Sequence, residues 1–235
     1  MQIKTKTPLI LLSGLLCDDT VWQKIADNLS EVADVSMMSF RGFDSIEKMA
    51  EYVLIHAPAS FALAGHSMGG RVALEVFKQA PERIERLALF NTGVHNKRDG
   101  EALGRQKLLD IAAKEGMSAV AEAWLPPMMS RDSLDNKLLM TQLKKMVTNY
   151  NAEEFSLQIQ ALLQRPNAET VLPTINVPTL LLSGDEDTWS PVEQHLAMQK
   201  MISKSHMVTI EKASHMAPVE RPEAVAAALR NWLAL

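Results

Sequence analysis

Short apolar runs alternate along much of this chain with longer segments of helical period, and this alternation restricts the fold more than any other sequence feature. Each run ends in Gly, Asn, Asp or Ser, as buried strands often do. The predicted strands span residues 9–12, 35–40, 61–64, 87–90, 179–182 and 207–210. The predicted helices among them span residues 20–29, 45–56, 67–79, 191–201 and 218–232. Because parallel strands need crossover helices, the pattern predicts an α/β fold with a mostly parallel sheet and helices on both faces.

The alternation stops after the fourth predicted strand. Several segments with apolar residues at three- and four-residue intervals follow one another there, which indicates successive helices. They span residues 103–113, 119–124, 134–147 and 155–163. We therefore expect residues 95–175 to form a helical cap, or lid, inserted into a core made of residues 1–94 and 176–235.

Charge and cysteine content narrow the functional classes. The chain has 235 residues, with 24 Lys and Arg against 28 Asp and Glu, and its net charge of -4 is too small to indicate nucleic acid or an anionic membrane as a partner. Cys17 is the only cysteine, so an internal disulfide is excluded and a cytoplasmic location is expected. A small-molecule substrate is the partner that remains, and the oligomeric state is left open.

A glycine-rich turn carries the first candidate for chemistry. Gly65-His66-Ser67-Met68-Gly69-Gly70 lies between the third predicted strand and the helix that follows it. A serine in so tight a turn projects its hydroxyl away from the backbone, as in a nucleophile elbow. The alternative is a serine that caps the helix.

Two later strand ends carry the partners that a serine nucleophile needs, a base to accept its proton and an acid to orient the base. The fifth predicted strand ends in the acidic loop Gly184-Asp185-Glu186-Asp187, and the sixth leads to His215. The carboxyl ends of parallel strands meet at one edge of the sheet. Ser67, an acid and His215 are therefore expected to form a catalytic triad, and His66, inside the turn, is expected to pack.

Together these segments resemble the α/β-hydrolase superfamily over nearly the whole chain. The motifs are Leu11-Leu12-Ser13-Gly14-Leu15 with Trp22 downstream, Gly65-His66-Ser67-Met68-Gly69-Gly70, Gly184-Asp185-Glu186-Asp187 with Pro191, and Ser214-His215-Met216-Ala217-Pro218. The resemblance implies the α/β-hydrolase fold, with the cap inserted after the fourth strand. It favours Asp187, which closes the G-x-x-D pattern, as the acid, with Asp185 as the alternative.

The resemblance also implies an oxyanion hole. Met68, the residue after the nucleophile, would supply one backbone N–H. Leu15, which follows the glycine after the first strand, would supply the other, with Leu16 as an alternative donor. The family typically has His-Gly where this chain has Ser13-Gly14, a change that keeps the backbone donor and leaves the support of the loop an open question.

Candidate substrate contacts follow from the position of the cap above the nucleophile. Two interpretations are open for Trp124, Leu125, Met128 and Met129: they line the pocket, or they pack the cap onto the core. Arg71 lies one helical turn beyond the nucleophile, where it would either bind a substrate carboxylate or pair at the helix surface. His95 follows the fourth predicted strand and is a candidate for the pocket rim.

The resemblance and the triad predict a serine hydrolase, similar to carboxylesterases, that cleaves small to medium esters or lactones through an acyl-enzyme. No metal or organic cofactor is needed for this chemistry. If Arg71 binds substrate, an acidic substrate such as an enol-lactone or a dicarboxylate-derived ester is favoured. Two alternatives stay open: a thioesterase, acyltransferase or carbon–carbon hydrolase or lyase with the same triad, and a ligand receptor on the hydrolase scaffold.

Overall fold

Six strands form one wholly parallel sheet in the computed structural model, which describes residues 6–235. The strands are β1 (Thr7–Leu12), β2 (Ala33–Met38), β3 (Phe61–His66), β4 (Ile84–Phe90), β5 (Thr179–Gly184) and β6 (Ser205–Ile210). Their order in the sheet is β2-β1-β3-β4-β5-β6. The chain therefore reverses its direction of winding between β1 and β3, and loops after these strands open into one crevice. Residues 1–5 of the predicted core lie outside the described part.

Helices cover both faces of the sheet, because right-handed crossovers on the two sides of the reversal place helices on opposite faces. The core helices are α1 (Gln23–Leu29), α2 (Ile46–His56), α3 (Met68–Gln79), α9 (Val192–Gln199), α10 (Ala217–Glu220) and α11 (Pro222–Leu233). Helix α1 packs on α11, and α2 packs on α3. The predicted fold class is confirmed. Within residues 6–235, none of the helices combines the length and apolarity that crossing a membrane requires.

The strands follow the predicted apolar runs, with most extended by a few residues. β3 and β5 are buried along their whole length, as central parallel strands are. The prediction for β2 was wrong at its end, which lies at Met38 and not Phe40. After Met38 the chain turns away from the sheet, and Phe40 is fully buried beside Phe43.

Proline and capping residues divide two segments that periodicity alone joined into single helices. The predicted helix over residues 218–232 is broken between α10 and α11 at Arg221, because Pro222 lacks an N–H and disfavours helical backbone in the residue before it. The predicted helix over residues 134–147 is also divided. Its longer part begins after Asn136, whose side chain accepts a hydrogen bond from Leu139 N–H.

Five helices lie between β4 and β5 and form the cap. They are α4 (Glu101–Glu115), α5 (Met117–Trp124), α6 (Arg131–Leu134), α7 (Lys137–Thr148) and α8 (Ala152–Leu163). Helix α4 packs on α5 and α8, and α5 packs on α7. Near the base of the insertion, Ala168 N–H donates to the Val94 carbonyl at 2.8 Å. The division of the chain at residues 95 and 175 stays a prediction.

Candidate active site

Ser67 lies in the turn between β3 and α3 with φ +55° and ψ −114°. Non-glycine residues rarely adopt a positive φ, and such strain amounts to about 1–3 kcal/mol. Hydrogen bonds hold the turn on both sides: Ser67 N–H donates to the Phe90 carbonyl at 2.9 Å, and the Ser67 carbonyl accepts from Thr92 Oγ1 at 2.7 Å. The strained serine is thus fixed by the end of the neighbouring strand β4.

Two glycines let the turn approach its neighbours this closely. A Cβ added at Gly65 would overlap the carbonyl of Gly69, and one added at Gly69 would overlap the carbonyl of Leu12 at the end of β1. Larger residues at either position would force the turn apart. The glycine spacing recognised in the sequence is therefore a packing requirement of the serine turn.

The structure brings Ser67, His215 and Asp187 into one hydrogen-bonded series. His215 Nε2 lies 2.8 Å from Ser67 Oγ, and His215 Nδ1 lies 3.0 Å from Asp187 Oδ2. The carboxylate accepts from Nδ1–H, which leaves Nε2 free to accept the serine proton. Asp185 instead accepts a hydrogen bond from Ala213 N–H at 3.2 Å. Of the two candidate acids, Asp187 is the one beside His215.

Asp187 is buried and accepts four hydrogen bonds. Besides His215, its Oδ2 accepts from Asn91 Nδ2 at 2.8 Å, while Oδ1 accepts from Trp189 N–H at 2.8 Å and Ser190 N–H at 2.9 Å. Burial alone would raise the pKa of this carboxyl, but His215 and these hydrogen bonds hold the pKa well below its usual value. Asp187 is therefore ionised and fixed in orientation.

Sequence reasoning missed Asn91, the residue that supports this carboxylate from the end of β4. Asn91 is fully buried, has φ +48° and also donates to the Ser214 carbonyl at 3.2 Å. Its position directly after a predicted strand was the available signal. It links the acid to the loop that carries His215.

His66 packs beneath the site, as expected from its place in the turn. Its Nε2 lies 2.7 Å from the His215 carbonyl, so a neutral ring with the proton on Nε2 donates to that oxygen. Burial, followed by the proximity of His215, lowers the pKa of His66 to about 3. His66 thus holds the backbone of His215 and does not reach Ser67 as a base.

The two residues predicted to supply oxyanion donors line the same cavity as Ser67. Leu15 and Met68 both line the cavity above the serine, and within residues 6–235 their N–H groups have no hydrogen-bond acceptor. The alternative donor, Leu16 N–H, is occupied by a bond of 2.9 Å to Gln158 Oε1. Leu15 and Met68 are therefore the pair that could receive a substrate oxygen.

A cavity of about 570 Å³ lies between the serine and the cap. Its apolar wall comes mainly from the cap and includes Leu108, Trp124, Met128 and Leu162. Leu125 and Met129 do not line it and belong to the buried hydrophobic cluster. Successive residues of a helical turn face different sides, so the neighbours of a pocket residue can point away from the pocket. The prediction that Leu125 and Met129 line the pocket was wrong, and both pack the cap.

Another part of the cavity lining is cationic. Arg71, Arg98, Arg105 and Arg165 all line it, and His95 lies among them. Glu101 binds two of these arginines, with 2.7 Å to Arg165 and 2.8 Å to Arg105. Burial alone would raise the pKa of Glu101, but these partners lower it to about 2.

Arg71 has no acidic partner within residues 6–235, unlike Arg105 and Arg165, which Glu101 binds. Its Nη1 donates to the His95 carbonyl at 2.8 Å. Burial, followed by the charge of Arg165, lowers the pKa of Arg71 to about 9. Burial and the charge of Arg71 lower the pKa of His95 to about 4. An anion in the cavity would meet an arginine whose charge is not neutralised by the protein.

The described residues, 6–235, contain no cluster of three His, Cys, Asp or Glu side chains with the geometry of metal ligands. The polar groups around Ser67 are instead arranged in proton-transfer and hydrogen-bond contacts. What this arrangement can do chemically is move the serine proton to His215 while Asp187 stabilises the resulting cation.

Known proteins are similar to this chain over nearly its whole length. A pimeloyl-acyl-carrier-protein methyl ester esterase of Photobacterium profundum is 26% identical, over 96% of this chain and 94% of the relative. A thermophilic esterase from Thermogutta terrifontis, whose structure is solved, is 26% identical in sequence to this chain. The two structures superpose with a TM-score of 0.88 over 98% of this chain and 90% of the esterase chain. The enol-lactonase of Burkholderia xenovorans shares the fold, with a TM-score of 0.89 and 23% sequence identity. The match covers 100% of this chain and 94% of the enol-lactonase chain. The model of the alpha/beta hydrolase family matches residues 9–228, and the chain belongs to that family.

Proposed function

We propose that this chain is a serine hydrolase that cleaves small to medium carboxylic esters or lactones. The observation that carries the proposal is the series Asp187–His215–Ser67, with contacts of 3.0 and 2.8 Å, at the base of the cavity. The esterase names of the relatives support the ester class.

The first half of the reaction makes an acyl-enzyme. His215 Nε2 takes the proton of Ser67 as Ser67 Oγ forms a bond to the substrate carbonyl carbon. The carbonyl oxygen becomes an oxyanion, which the N–H groups of Leu15 and Met68 stabilise. The bond to the leaving oxygen then breaks, and that oxygen receives the proton from His215.

The second half restores the enzyme. His215 accepts a proton from water as the water oxygen attacks the acyl carbon, and a second oxyanion forms in the same hole. When the bond to Ser67 breaks, His215 returns the proton to the serine oxygen and the carboxylic acid leaves. Asp187 holds the ring and stabilises its cation in both halves.

Arg71 supports a narrower substrate class, an ester or lactone that carries a carboxylate away from the bond that is cleaved. The apolar wall around Trp124 would hold the carbon chain, while the guanidinium of Arg71 would bind the acid. The Thermogutta terrifontis esterase has malate, a dicarboxylate, bound in its structure. His95, whose carbonyl holds Arg71, would contact the substrate at the same wall.

We also propose that the protein acts in the cytoplasm on a small molecule and not on nucleic acid or a membrane. The support is its single cysteine, Cys17, which is buried, and its small net charge of -4.

A fluorophosphonate probe, followed by turnover of p-nitrophenyl esters, thioesters and lactones, tests the function. We expect covalent labelling at Ser67 and the highest kcat/KM with esters or lactones. Substitution Ser67→Ala should abolish labelling and lower kcat by about 10⁴-fold or more, since the nucleophile is lost. His215→Ala should lower kcat to a similar extent.

The alternatives predict other results in the same assay. A preference for thioesters, or an acyl acceptor other than water, would replace the ester hydrolase with a thioesterase or acyltransferase. Binding without turnover would indicate a receptor. Activity that survives Ser67→Ala would exclude the acyl-enzyme mechanism itself.

A further inference from the structure

Gln158 of the cap binds the loop that carries the oxyanion donor Leu15. This side chain lies on α8, is fully buried and does not line the cavity. Its Oε1 accepts from Leu16 N–H at 2.9 Å, and its Nε2 donates to the Phe40 carbonyl at 2.7 Å. One amide thus connects the loop after β1 to the chain after β2.

The residue that Gln158 binds is in a strained conformation. Leu16 has φ +55°, a region that leucine rarely adopts. The buried hydrogen bond to Leu16 N–H compensates for this strain and leaves that N–H unable to turn toward the substrate. Because Leu15 is the preceding residue, the orientation of the Leu15–Leu16 peptide sets the conformation next to the proposed donor.

A second cap residue binds the same loop on its other side. Tyr150, between α7 and α8, donates from its hydroxyl to the Cys17 carbonyl at 2.6 Å. Within the loop, Cys17 N–H donates to the Gly14 carbonyl at 3.2 Å. The strained Leu16 therefore lies between one backbone group held by Gln158 and another held by Tyr150.

We propose that Gln158 is a positioning residue that holds the oxyanion loop in its catalytic conformation and so links the cap to the chemical step. This inference rests on the proposed function. Without the Gln158 amide, Leu16 can relax from its strained φ, and Leu15 N–H moves away from Ser67. The contact also supplies a support for the loop from the cap, in a chain that has Ser13-Gly14 there.

The first test is Gln158→Met, which keeps the length of the side chain and removes both hydrogen bonds. We expect kcat for a p-nitrophenyl ester to fall about 10- to 100-fold, while KM changes less than about twofold, because an oxyanion donor acts mainly in the transition state. Active sites are counted by fluorophosphonate labelling, so that unfolded protein does not contribute. Gln160→Met makes the same change at an exposed position of α8 and should leave kcat unaltered.

The variant Phe155→Leu is a control that weakens the packing of the cap and keeps the hydrogen bonds of Gln158. It tests whether a less stable cap alone would lower kcat. Phe155 is fully buried on α8 and does not line the cavity, so this variant should lower the melting temperature without lowering kcat per labelled site. If Gln158→Met keeps kcat within about threefold of the parent, or if Phe155→Leu lowers kcat equally, the inference is wrong.

Gln158→Glu provides a second readout if the methionine variant does not fold. A protonated carboxyl can accept from Leu16 N–H and donate to the Phe40 carbonyl, whereas the ionised form cannot donate. Burial raises the pKa of a carboxyl, so the ratio of its kcat to that of the parent should rise as pH falls. A ratio that is independent of pH would contradict the inference. Failure of the proposed function itself would be seen separately, as a parent protein that neither labels nor turns over esters.

Discussion

At the scale of single residues, the environment of Asp187 explains how a buried acid stays charged beside His215. Four hydrogen bonds reach its two oxygens, two from backbone N–H groups of its own loop and two from Asn91 and His215. Asp185, two residues earlier, holds the backbone at Ala213. Asp185 and Asp187 thus contact different groups, so mutating each one in turn distinguishes their roles.

Substitution Asp187→Asn should lower kcat by about 10⁴-fold, because an amide cannot stabilise the imidazolium and favours the wrong ring tautomer. Asp185→Asn is the matched control, and it should lower kcat by less than about tenfold, since an amide oxygen still accepts from Ala213 N–H. Steady-state kinetics with one p-nitrophenyl ester measure both. Equal losses in the two variants would contradict the assignment of Asp187 as the acid.

Residues that lie in local motifs were accessible from the sequence, and residues defined by distant contacts were not. Ser67 and His215 lie in recognisable patterns at predicted strand ends. Asn91 follows a predicted strand but lies in no motif, and Gln158 has no local signal, because each acquires its contact only when segments far apart in the chain pack together. Gln158, for example, lies 142 positions from Leu16.

At the scale of elements, the arginines that line the cavity come from the core helix α3 and from the cap segment between β4 and β5. Arg71 comes from α3, while Glu101 and Arg105 come from α4. Periodicity predicted both helices, since apolar spacing is a local property. It could not predict that the cap would add arginines beside Arg71, because that depends on how α4 packs above the sheet.

Substitution Arg71→Met should reduce kcat/KM for the p-nitrophenyl monoester of a dicarboxylic acid by about 10-fold or more, because one charge-assisted hydrogen-bond partner is lost. The matched neutral ester, with a methyl group in place of the carboxylate, should change much less. Arg86→Met, on β4 and outside the cavity lining, is the control for loss of a positive charge. Equal effects of Arg71→Met on the two esters would exclude the carboxylate site.

At the scale of the whole molecule, buried neutral histidines tie stability to pH. Burial lowers the pKa of His66 to about 3, from an ordinary value of 6.5, and burial also lowers the pKa of His195. Below pH 6.5 the unfolded chain therefore binds protons at these two positions more strongly than the folded chain does. The free energy of unfolding must therefore decrease as pH falls from 6.5 toward 3.

The contribution of His66 between pH 7 and pH 5 should be about 2 kcal/mol. His66→Gln keeps a donor for the His215 carbonyl and cannot be protonated, so its free energy of unfolding should fall by about 2 kcal/mol less than that of the parent over this range. Urea unfolding at several pH values measures the two slopes. Identical slopes would show that His66 is not the group responsible.

The hydrogen bond from Ala168 N–H to the Val94 carbonyl has a consequence for how substrate preference can be altered. Since the chain leaves and re-enters the core at adjacent points, the intervening segment can be transplanted from a relative without changing the order of the strands. Such a chimera would bring a new apolar wall with it. It would also have to bring equivalents of Gln158 and Tyr150, because these two cap residues bind the core loop that carries Leu15.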